Sequence, residues 1–325
     1  MSLLFSPITI RTTHFRNRIV MPPMVREMAD ADGCVTEALL EHYERPALGG
    51  TGLIIVEATA VDAVGRVWNG GLCAYADRHL PGLARLAGRI HAAGAVAGIQ
   101  LVHGGPQSFS EVTGQETVGP SAIKPRQQNP TPRALTIEEI LAIQERFADA
   151  AERALEAGFD LIEIHGAHGY LLDSFLAVGR NQREDAYGGS LAGRMRILVE
   201  TCRRVRERIG DRGLLECRIS FFNKRPEEVT PDYVATLVPA LEGTGLDLMH
   251  LSCDDALAGQ FGTDRPMGVW VRQHTRLPLI VAGHLGLSAN AERALVEGVA
   301  DFAAVGGAML VEPTWAKRAR RALGA

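Results

Sequence analysis

Short apolar runs alternate with helix-like segments along this chain, and that alternation restricts its fold more than any other feature. A short run that is apolar throughout is typical of a strand in a parallel sheet that is covered on both faces. The predicted strands cover residues 18–21, 52–57, 95–101, 161–164, 214–220, 246–251, 277–281 and 300–305. Eight rounds without a break in composition predict one α/β domain over residues 1–325, a (β/α)8 TIM barrel, and the length of 325 residues suits that fold.

An N-terminal hairpin and a long loop are the predicted additions to this barrel. Residues 8–10 and 13–15 are predicted to form a small hairpin that caps the bottom of the barrel. Residues 104–135, after the third strand, are rich in Gly, Pro, Ser, Thr and Gln and show little periodicity, which predicts an active-site loop. Helices are predicted at residues 35–48, 80–93, 136–157, 191–209 and 233–241.

Charge and cysteine content exclude several classes of protein. A net charge of -4 and a pI near 6.2 argue against a nucleic-acid partner. The five cysteines are scattered and lack Cys-x-x-Cys spacing, which disfavours a disulfide framework, a zinc site or an iron–sulfur cluster. No apolar run reaches transmembrane length, and the first residues lack the pattern of a signal peptide. The sequence therefore predicts a cytoplasmic protein without a membrane partner.

The fourth predicted strand ends abruptly at His165, and His168 and Tyr170 follow it closely. We expect the three side chains to crowd one strand end. Two imidazoles can donate hydrogen bonds to a carbonyl or a developing oxyanion, and a phenol can hand over a proton. The cluster is therefore suited to polarising an electron-poor substrate. The alternative is a hydrogen-bonded histidine pair that only closes the loop.

The residues around this cluster form a longer pattern, His165-Gly-Ala-His168-Gly-Tyr170-Leu-Leu followed by Asn181-x-Arg183-x-Asp185-x-Tyr187-Gly-Gly-Ser190. The pattern resembles the signature of the Old Yellow Enzyme family of flavin mononucleotide (FMN) ene-reductases. This resemblance implies a TIM barrel, bound FMN, NADH or NADPH as the reductant and a small activated alkene as the substrate. It gives His165, His168 and Tyr170 substrate-binding and catalytic roles.

The resemblance also implies which positions bind the flavin. The segment Asn17-Arg-Ile-Val-Met-x-Pro23-Met24 looks like the first strand of the family, and Gln100-Leu-x-His103 looks like the third. The implied FMN-binding positions are Pro23, Met24, Val25, Ala58, Gln100, His165, Arg218, Gly283, Gly306 and Gly307. Without any resemblance, a charge such as Arg218 inside a buried strand needs a partner, which favours an anionic ligand.

The departures from the family pattern cluster at the predicted site. Val25 cannot make the hydrogen bond that Cys or Thr makes to the flavin, and Pro106 and Gly307 stand where relatives have arginines. Glu27 replaces a substrate-facing aromatic residue, so it is interpreted either as a substrate-binding carboxylate or as a solvated loop charge. Further departures are Ala177-Val178 in place of Ser-Pro and the segment Phe221-Phe222-Asn223-Lys224.

The function that the resemblance implies is a hydride relay from NAD(P)H through the flavin N5 to the β-carbon of an α,β-unsaturated carbonyl compound. His165 and His168 are expected to hold the carbonyl oxygen while Tyr170 protonates the α-carbon. Whether NADH or NADPH is the reductant stays open, as does self-association into a homo-oligomer.

Three alternatives remain from the sequence. One is a flavin enzyme of the same fold that oxidises amines or reduces aromatic rings, with Glu27 meeting the substrate. Another is a TIM-barrel hydrolase or lyase in which Glu163, His165 and His168 bind a divalent metal, because Glu163 and His165 share a strand face. The third is a flavin-binding protein that has lost its activity.

Overall fold

The computed structural model describes residues 2–221 and 228–325 of the chain. Strands β1 (Ile8–Ile10) and β2 (Thr13–Phe15) pair antiparallel, which confirms the predicted hairpin. Phe15 is fully buried and packs edge to face on Phe302 of the barrel, with ring centroids 5.1 Å apart. The hairpin therefore covers the amino-terminal end of the barrel.

Eight parallel strands close into a barrel, as predicted. In chain order the remaining strands are β3 (Ile19–Met21), β4 (Leu53–Ala60), β5 (Val96–Val102), β6 (Val118–Gly119), β7 (Arg133–Ala134), β8 (Leu161–Gly166), β9 (Leu214–Ser220), β10 (Leu248–Ser252), β11 (Leu279–Ala282) and β12 (Phe302–Ala304). All of these except β6 and β7 belong to the barrel, which closes where β12 pairs with β3. Every predicted barrel strand overlaps an observed one.

Helices cover the outside of the barrel. They are α1 (Glu37–Leu48), α2 (Leu80–Ala92), α3 (Ser110–Thr113), α4 (Ile137–Glu156), α5 (Leu171–Leu176), α6 (Leu191–Ile209), α7 (Pro231–Glu242), α8 (Met267–Arg272), α9 (Ser288–Val296), α10 (Gly307–Val311) and α11 (Trp315–Ala322). The hydroxyls of Thr136 and Ser190 accept hydrogen bonds from backbone N–H groups of the first turn, which fixes where α4 and α6 begin. The five predicted helices are confirmed; α3, α5 and α8 to α11 are not among the predictions. No described helix is both long and apolar enough to cross a membrane.

The predicted loop at residues 104–135 contains regular structure that its composition does not indicate. A 3-10 turn covers Gly105–Gln107, α3 follows it, and β6 pairs with β7 in a short parallel ladder. The backbone N–H of Leu171 donates to the carbonyl of His103 over 3.0 Å, so the start of this segment is held against the loop that follows β8.

The barrel interior changes from apolar to polar along its axis. Its amino-terminal end is filled by an apolar cluster. Further along β8 and β9, Glu163 is paired in register with Glu216, and His165 with Arg218. Alternate residues of a strand share one face, so all four side chains point inward. The polar half of the interior thus lies below the carboxyl-terminal loops, where TIM barrels carry their sites.

Candidate active site at the carboxyl end of the barrel

The structure brings His165, His168 and Tyr170 together at the end of β8. The His165 ring lies 5.0 Å, centroid to centroid, from each of the other two rings, and both contacts are edge to face. Tyr170 occupies the N-cap position of α5, so the helix fixes its backbone. The predicted cluster therefore forms, and its three rings line one side of the carboxyl-terminal opening.

The backbone of His168 is held in an unusual conformation. Its φ is +62°, in the left-handed region that residues with a Cβ rarely adopt. The side-chain amide of Gln107 donates to its carbonyl over 2.6 Å, and its N–H donates to the Ser220 hydroxyl over 3.2 Å. These two hydrogen bonds offset the energetic cost of the conformation. Strained backbone conformations of this kind are concentrated at functional sites.

The two histidines are not bonded to each other as the alternative interpretation requires. His168 Nε2 lies 2.9 Å from the hydroxyl of Ser252 on β10. His165 Nδ1 is buried and finds no hydrogen-bond partner among the residues that the structure describes. His165 therefore has hydrogen-bonding capacity left for a ligand, which a histidine pair that only closes the loop would not need.

Burial sets the protonation of two members of the cluster. It lowers the pKa of His165 well below its ordinary value, and the nearby His168 and Arg218 act in the same direction. It raises the pKa of Tyr170 to about 12. At neutral pH the site thus holds a neutral imidazole, which still has one N–H to donate, beside a phenol that keeps its proton.

Gln100 projects from β5 into the polar half of the interior, where it is 1% exposed. Its side-chain nitrogen donates to Glu163 over 2.5 Å. A carboxylate can only accept, so this bond fixes which end of the amide is which. The carboxamide oxygen is left to accept a hydrogen bond from another group, such as the N–H of a pyrimidine-like ring.

Arg218 is the cation of the site. It is 7% exposed, and one of its terminal nitrogens donates to Ser252 over 3.1 Å. Its Nε is buried without a partner among the described residues. Burial lowers the pKa of Arg218, yet a guanidinium keeps its charge in proteins. A buried cation with an unused donor fits the anionic ligand that the sequence predicts.

The end of the first barrel strand lies against the end of the last. Pro23 is buried and Met24 and Val25 are half-buried. A Cβ added at Gly306 would lie 3.1 Å from the Met24 sulfur, which shows how closely these segments approach. Ala58 is 4% exposed, in the stretch of β4 where the register with β5 shifts between Val56 and Thr59.

The predicted phosphate site lies between the loops after β11 and β12. A Cβ added at Gly286 would lie 3.3 Å from that of Ala308, so the loops are neighbours. Gly283 has a φ of +145°, and a side chain there would collide with the backbone of Ala256. Gly307 is exposed at the start of α10 and faces open space. Gly307 itself offers a backbone amide at this position and no guanidinium.

Two other departures from the family pattern lie on loops around the opening. Pro106 is buried in the 3-10 turn after β5. Glu27 is exposed, has a φ of +54°, and its carbonyl oxygen packs against Gly70 in the loop after β4. Phe221 is buried, whereas positions 222–224 of the unusual segment lie outside the described residues. Glu27 is thus placed on a loop that borders the site, with its side chain exposed.

Three functional candidates escape prediction from the sequence. The Trp68 ring packs edge to face on Tyr170 at 5.9 Å, Ser252 contacts both His168 and Arg218, and Glu216 lies beside Glu163. Trp68 could have been predicted, because a tryptophan shortly before the Gly70-Gly71 pair is an unusual feature of a loop. The other two belong to strands that are remote in sequence from the residues they contact.

The metal-site alternative does not form as the sequence suggested. Among the described residues, the group whose ligand atoms lie within 4.8 Å of one another is Glu163, Glu216 and His250. Both Glu163 oxygens already accept hydrogen bonds, one from Gln100 and one from His250. Glu163, His165 and His168 therefore do not converge on one point. His165 and His168 follow Glu163 in the chain and lie nearer the carboxyl-terminal end of the barrel.

The polar atoms at this end of the barrel fit a flavin. Arg218 and His165 carry buried atoms that have no partner among the described residues, and Gln100 presents a carboxamide of fixed orientation. The oxygen and nitrogen atoms along the edge of an isoalloxazine ring offer acceptors and donors for such a set. Gly283 and Gly306 lie at the ends of the last two strands, where TIM barrels commonly bind phosphate, and the neighbouring Gly307 faces open space.

Known proteins similar to this chain match it over nearly its whole length. The sequence profile of the NADH:flavin oxidoreductase / NADH oxidase family matches residues 3–324. An NADPH dehydrogenase of Geobacillus thermodenitrificans is 38% identical over 328 residues, covering 99% of this chain and 95% of that protein. An Old Yellow Enzyme homologue from Zymomonas mobilis superposes with a TM-score of 0.87 at 28% identity, covering 99% of this chain and 93% of that one. Morphinone reductase in complex with tetrahydroNAD gives a TM-score of 0.88 at 28% identity, with coverages of 98% and 90%.

Proposed function

This chain belongs to the NADH:flavin oxidoreductase / NADH oxidase family, within the Old Yellow Enzyme group, and from that premise we propose that it reduces activated alkenes with Tyr170 as the proton donor. The expected substrate is an α,β-unsaturated carbonyl compound. Bound FMN would supply the redox chemistry, which is the passage of hydride from NAD(P)H to the alkene. The residues of the chain bind, orient and protonate.

The observation that carries the proposal is the cluster of His165, His168 and Tyr170. The rings of His168 and Tyr170 each lie 5.0 Å, centroid to centroid, from the ring of His165. The cluster is at the end of the barrel that carries the proposed flavin-binding positions. Neutral His165 can donate one N–H to a carbonyl oxygen without bringing a second cation next to Arg218. Polarising that oxygen favours negative charge on it, which is the charge that develops when hydride reaches the β-carbon.

His168 is expected to share this role. The Ser252 hydroxyl accepts a hydrogen bond from Arg218, so its own O–H can donate to the Nε2 of His168, which lies 2.9 Å away. When Nε2 of a neutral ring accepts this hydrogen bond, the ring carries its N–H on Nδ1. Ser252 would thus select the Nδ1–H tautomer of His168.

Tyr170 is the group that still holds a proton at neutral pH. Its pKa of about 12 makes it a weak acid in the resting site, and an enolate oxygen or carbanion is basic enough to take that proton. The ring of Trp68 packs edge to face against Tyr170, with ring centroids 5.9 Å apart. We propose that the Tyr170 hydroxyl delivers its proton to the α-carbon.

The proposed FMN-binding residues divide into two groups. Gln100, His165 and Arg218 would hold the ring through the amide, imidazole and guanidinium described above, with Pro23, Met24, Val25 and Ala58 packing along it. Gly283, Gly306 and Gly307 would meet the phosphate. Glu27 is proposed to face the substrate from the rim, where an exposed carboxylate disfavours anionic substrates.

Tyr170→Phe tests the proton-donor role. Reduction of the bound FMN by NADPH needs no proton from Tyr170, so its stopped-flow rate should stay close to that of the wild type. Reoxidation by cyclohexenone should slow by about 10²- to 10⁴-fold, the usual cost of a lost general acid. Reoxidation at the wild-type rate would show that the proton comes from elsewhere and would overturn the assignment.

Tyr187→Phe is the matched control. Tyr187 belongs to the same sequence signature, but its hydroxyl donates to Glu200 on α6 over 2.8 Å, away from the cluster. This variant should leave both half-reactions unchanged. Replacing His165 and His168 together by Ala should instead weaken the binding of phenol-like ligands and slow both half-reactions, since both rings lie where the ligands bind.

A further inference from the structure

The polar layer directly below Arg218 contains two glutamates that face each other. Glu163 on β8 and Glu216 on β9 are register partners on adjacent strands, and both are fully buried. With His250 of β10 they place their oxygen and nitrogen atoms within 4.8 Å of one another. Arg218 follows Glu216 by two residues on the same face of β9.

Hydrogen bonding distinguishes the two carboxyl groups. The oxygens of Glu163 accept from the Gln100 amide and from His250 Nδ1, each over 2.5 Å. Neither oxygen of Glu216 receives a hydrogen bond from any described residue. An ionised carboxylate that is fully buried without a donor is costly, and a second ionised carboxylate beside it adds repulsion. One proton on Glu216 removes both costs, because the acid can donate to Glu163.

We propose that Glu163 and Glu216 form a proton-sharing pair, in which Glu216 stays protonated at neutral pH and donates to Glu163, so that a single negative charge lies beneath Arg218. Among the described residues, the ionisable and polar groups around the pair include His165 on β8, Cys217 and Arg218 on β9, His250 on β10 and Gln100 on β5. Of these, Arg218 is the cation and Glu163 is the anion. The electrostatics agree: burial raises the pKa of Glu216 well above its ordinary value, and the charge of Glu163 raises it further.

The opposite direction holds for Glu163. Burial raises its pKa, but His250, Arg218 and the hydrogen bond with Glu216 all lower it, and its pKa ends below the ordinary value. The pair thus has one acid and one base rather than two equivalent groups. Paired carboxyl groups elsewhere divide their protons in the same way.

This division affects Arg218. One anion beside one cation leaves the layer neutral, whereas ionisation of Glu216 would give it a net negative charge. Such a charge would oppose the accumulation of negative charge on a flavin held above Arg218. This consequence rests on the proposed contact of Arg218 with FMN; the protonation of Glu216 does not.

Carbon-13 NMR of the FMN-loaded wild type, labelled at the glutamate carboxyl carbons, tests the protonation directly. We expect one resonance to keep the chemical shift of a protonated acid at pH 7 and to vanish in Glu216→Gln. Glu57, a separate buried carboxyl whose pKa is raised to about 7, is assigned with Glu57→Gln. A spectrum in which every glutamate other than Glu57 is ionised at pH 7 would overturn the proposal, as would loss of the protonated signal in Glu163→Gln but not in Glu216→Gln.

Unfolding by urea at several pH values gives an independent measure. The folded pKa of Glu216 lies above its ordinary value of 4.5, so above that pH unfolding releases one proton. Relative to Glu216→Gln, the folding constant of the wild type should therefore fall tenfold per pH unit from about 4.5 up to the folded pKa. The same slope in both proteins would overturn the proposal, and the contribution of Glu57 cancels in this comparison.

Two substitutions separate the shared proton from simple packing. The amide of Glu216→Gln still donates to Glu163, so FMN occupancy and the midpoint potential should match the wild type at pH 7. Glu216→Leu removes that donor and should lower FMN occupancy. A potential that shifts as much in Glu216→Gln as in Glu163→Gln would show that Glu216 is charged, against the proposal. None of these measurements requires an alkene substrate, so a failure of the proposed reaction would leave them interpretable.

Discussion

The barrel interior and the surface between α4 and α6 both bring arginine and glutamate side chains together, under opposite conditions. On the surface, Arg208 contacts Glu145, Asp149 and Glu152 of α4 while its side chain stays 33% exposed. Inside the barrel, Arg218 lies near Glu163 and Glu216, both of which are fully buried.

The comparison teaches that the surroundings decide what an ion pair contributes. Water solvates each charge of the surface network whether or not its partner is present, so each pair adds little to stability. Inside the barrel no water replaces a missing partner, and removing one leaves an uncompensated charge. The interior cluster therefore specifies geometry and ligand, whereas the surface network is tolerant of change.

The largest expected effect is that of Arg218→Ala. Removing the cation from the interior should lower the free energy of unfolding by about 3 to 5 kcal/mol, as for other broken buried pairs, and should weaken FMN retention. Urea unfolding and FMN content after gel filtration measure the two effects. Arg218→Lys is the control, since it keeps the charge and loses only the planar fork. Unchanged stability and FMN content in Arg218→Ala would remove this residue from the site.

An intermediate effect is expected for Gly307→Arg. This substitution adds a positive charge at a surface position next to the proposed site of the FMN phosphate. Open space surrounds Gly307, so the side chain can be accommodated. A charge-assisted hydrogen bond to the FMN phosphate should tighten binding by about 1.5 to 3 kcal/mol, measured as the FMN dissociation constant. Gly307→Ala, which adds bulk without charge, should bind FMN as the native protein does. If native FMN already resists dilution and Arg adds nothing, another cation serves the phosphate.

The smallest effect is expected for Arg208→Ala on the surface. The free energy of unfolding should fall by about 1 kcal/mol or less, and the loss should shrink further at high salt because the charges are screened. A double-mutant cycle with Glu145→Ala isolates the pair. A loss as large as that of Arg218→Ala would remove the distinction between the two regions.

Local sequence signals were sufficient for the architecture and for part of the site. Buried strands and amphipathic helices are encoded over a few residues, so the hairpin, the barrel strands and five helices are predicted near their observed bounds. His165, His168 and Tyr170 lie within one strand end and one turn, which is why their contact follows from spacing. The regular pieces within 104–135 are too short to produce a periodic pattern, and they escape prediction.

The sequence by itself determined the barrel and the flavin family, and it predicted the cluster of His165, His168 and Tyr170, since each depends on patterns that are continuous along the chain. Only the tertiary structure decided that Ser252 joins His168 to Arg218, that Trp68 packs against Tyr170, and that Glu163 faces Glu216 rather than His168. These contacts connect segments that are far apart in sequence. Their geometry is set by the register in which the barrel strands pair and the barrel closes, and no local pattern encodes that register.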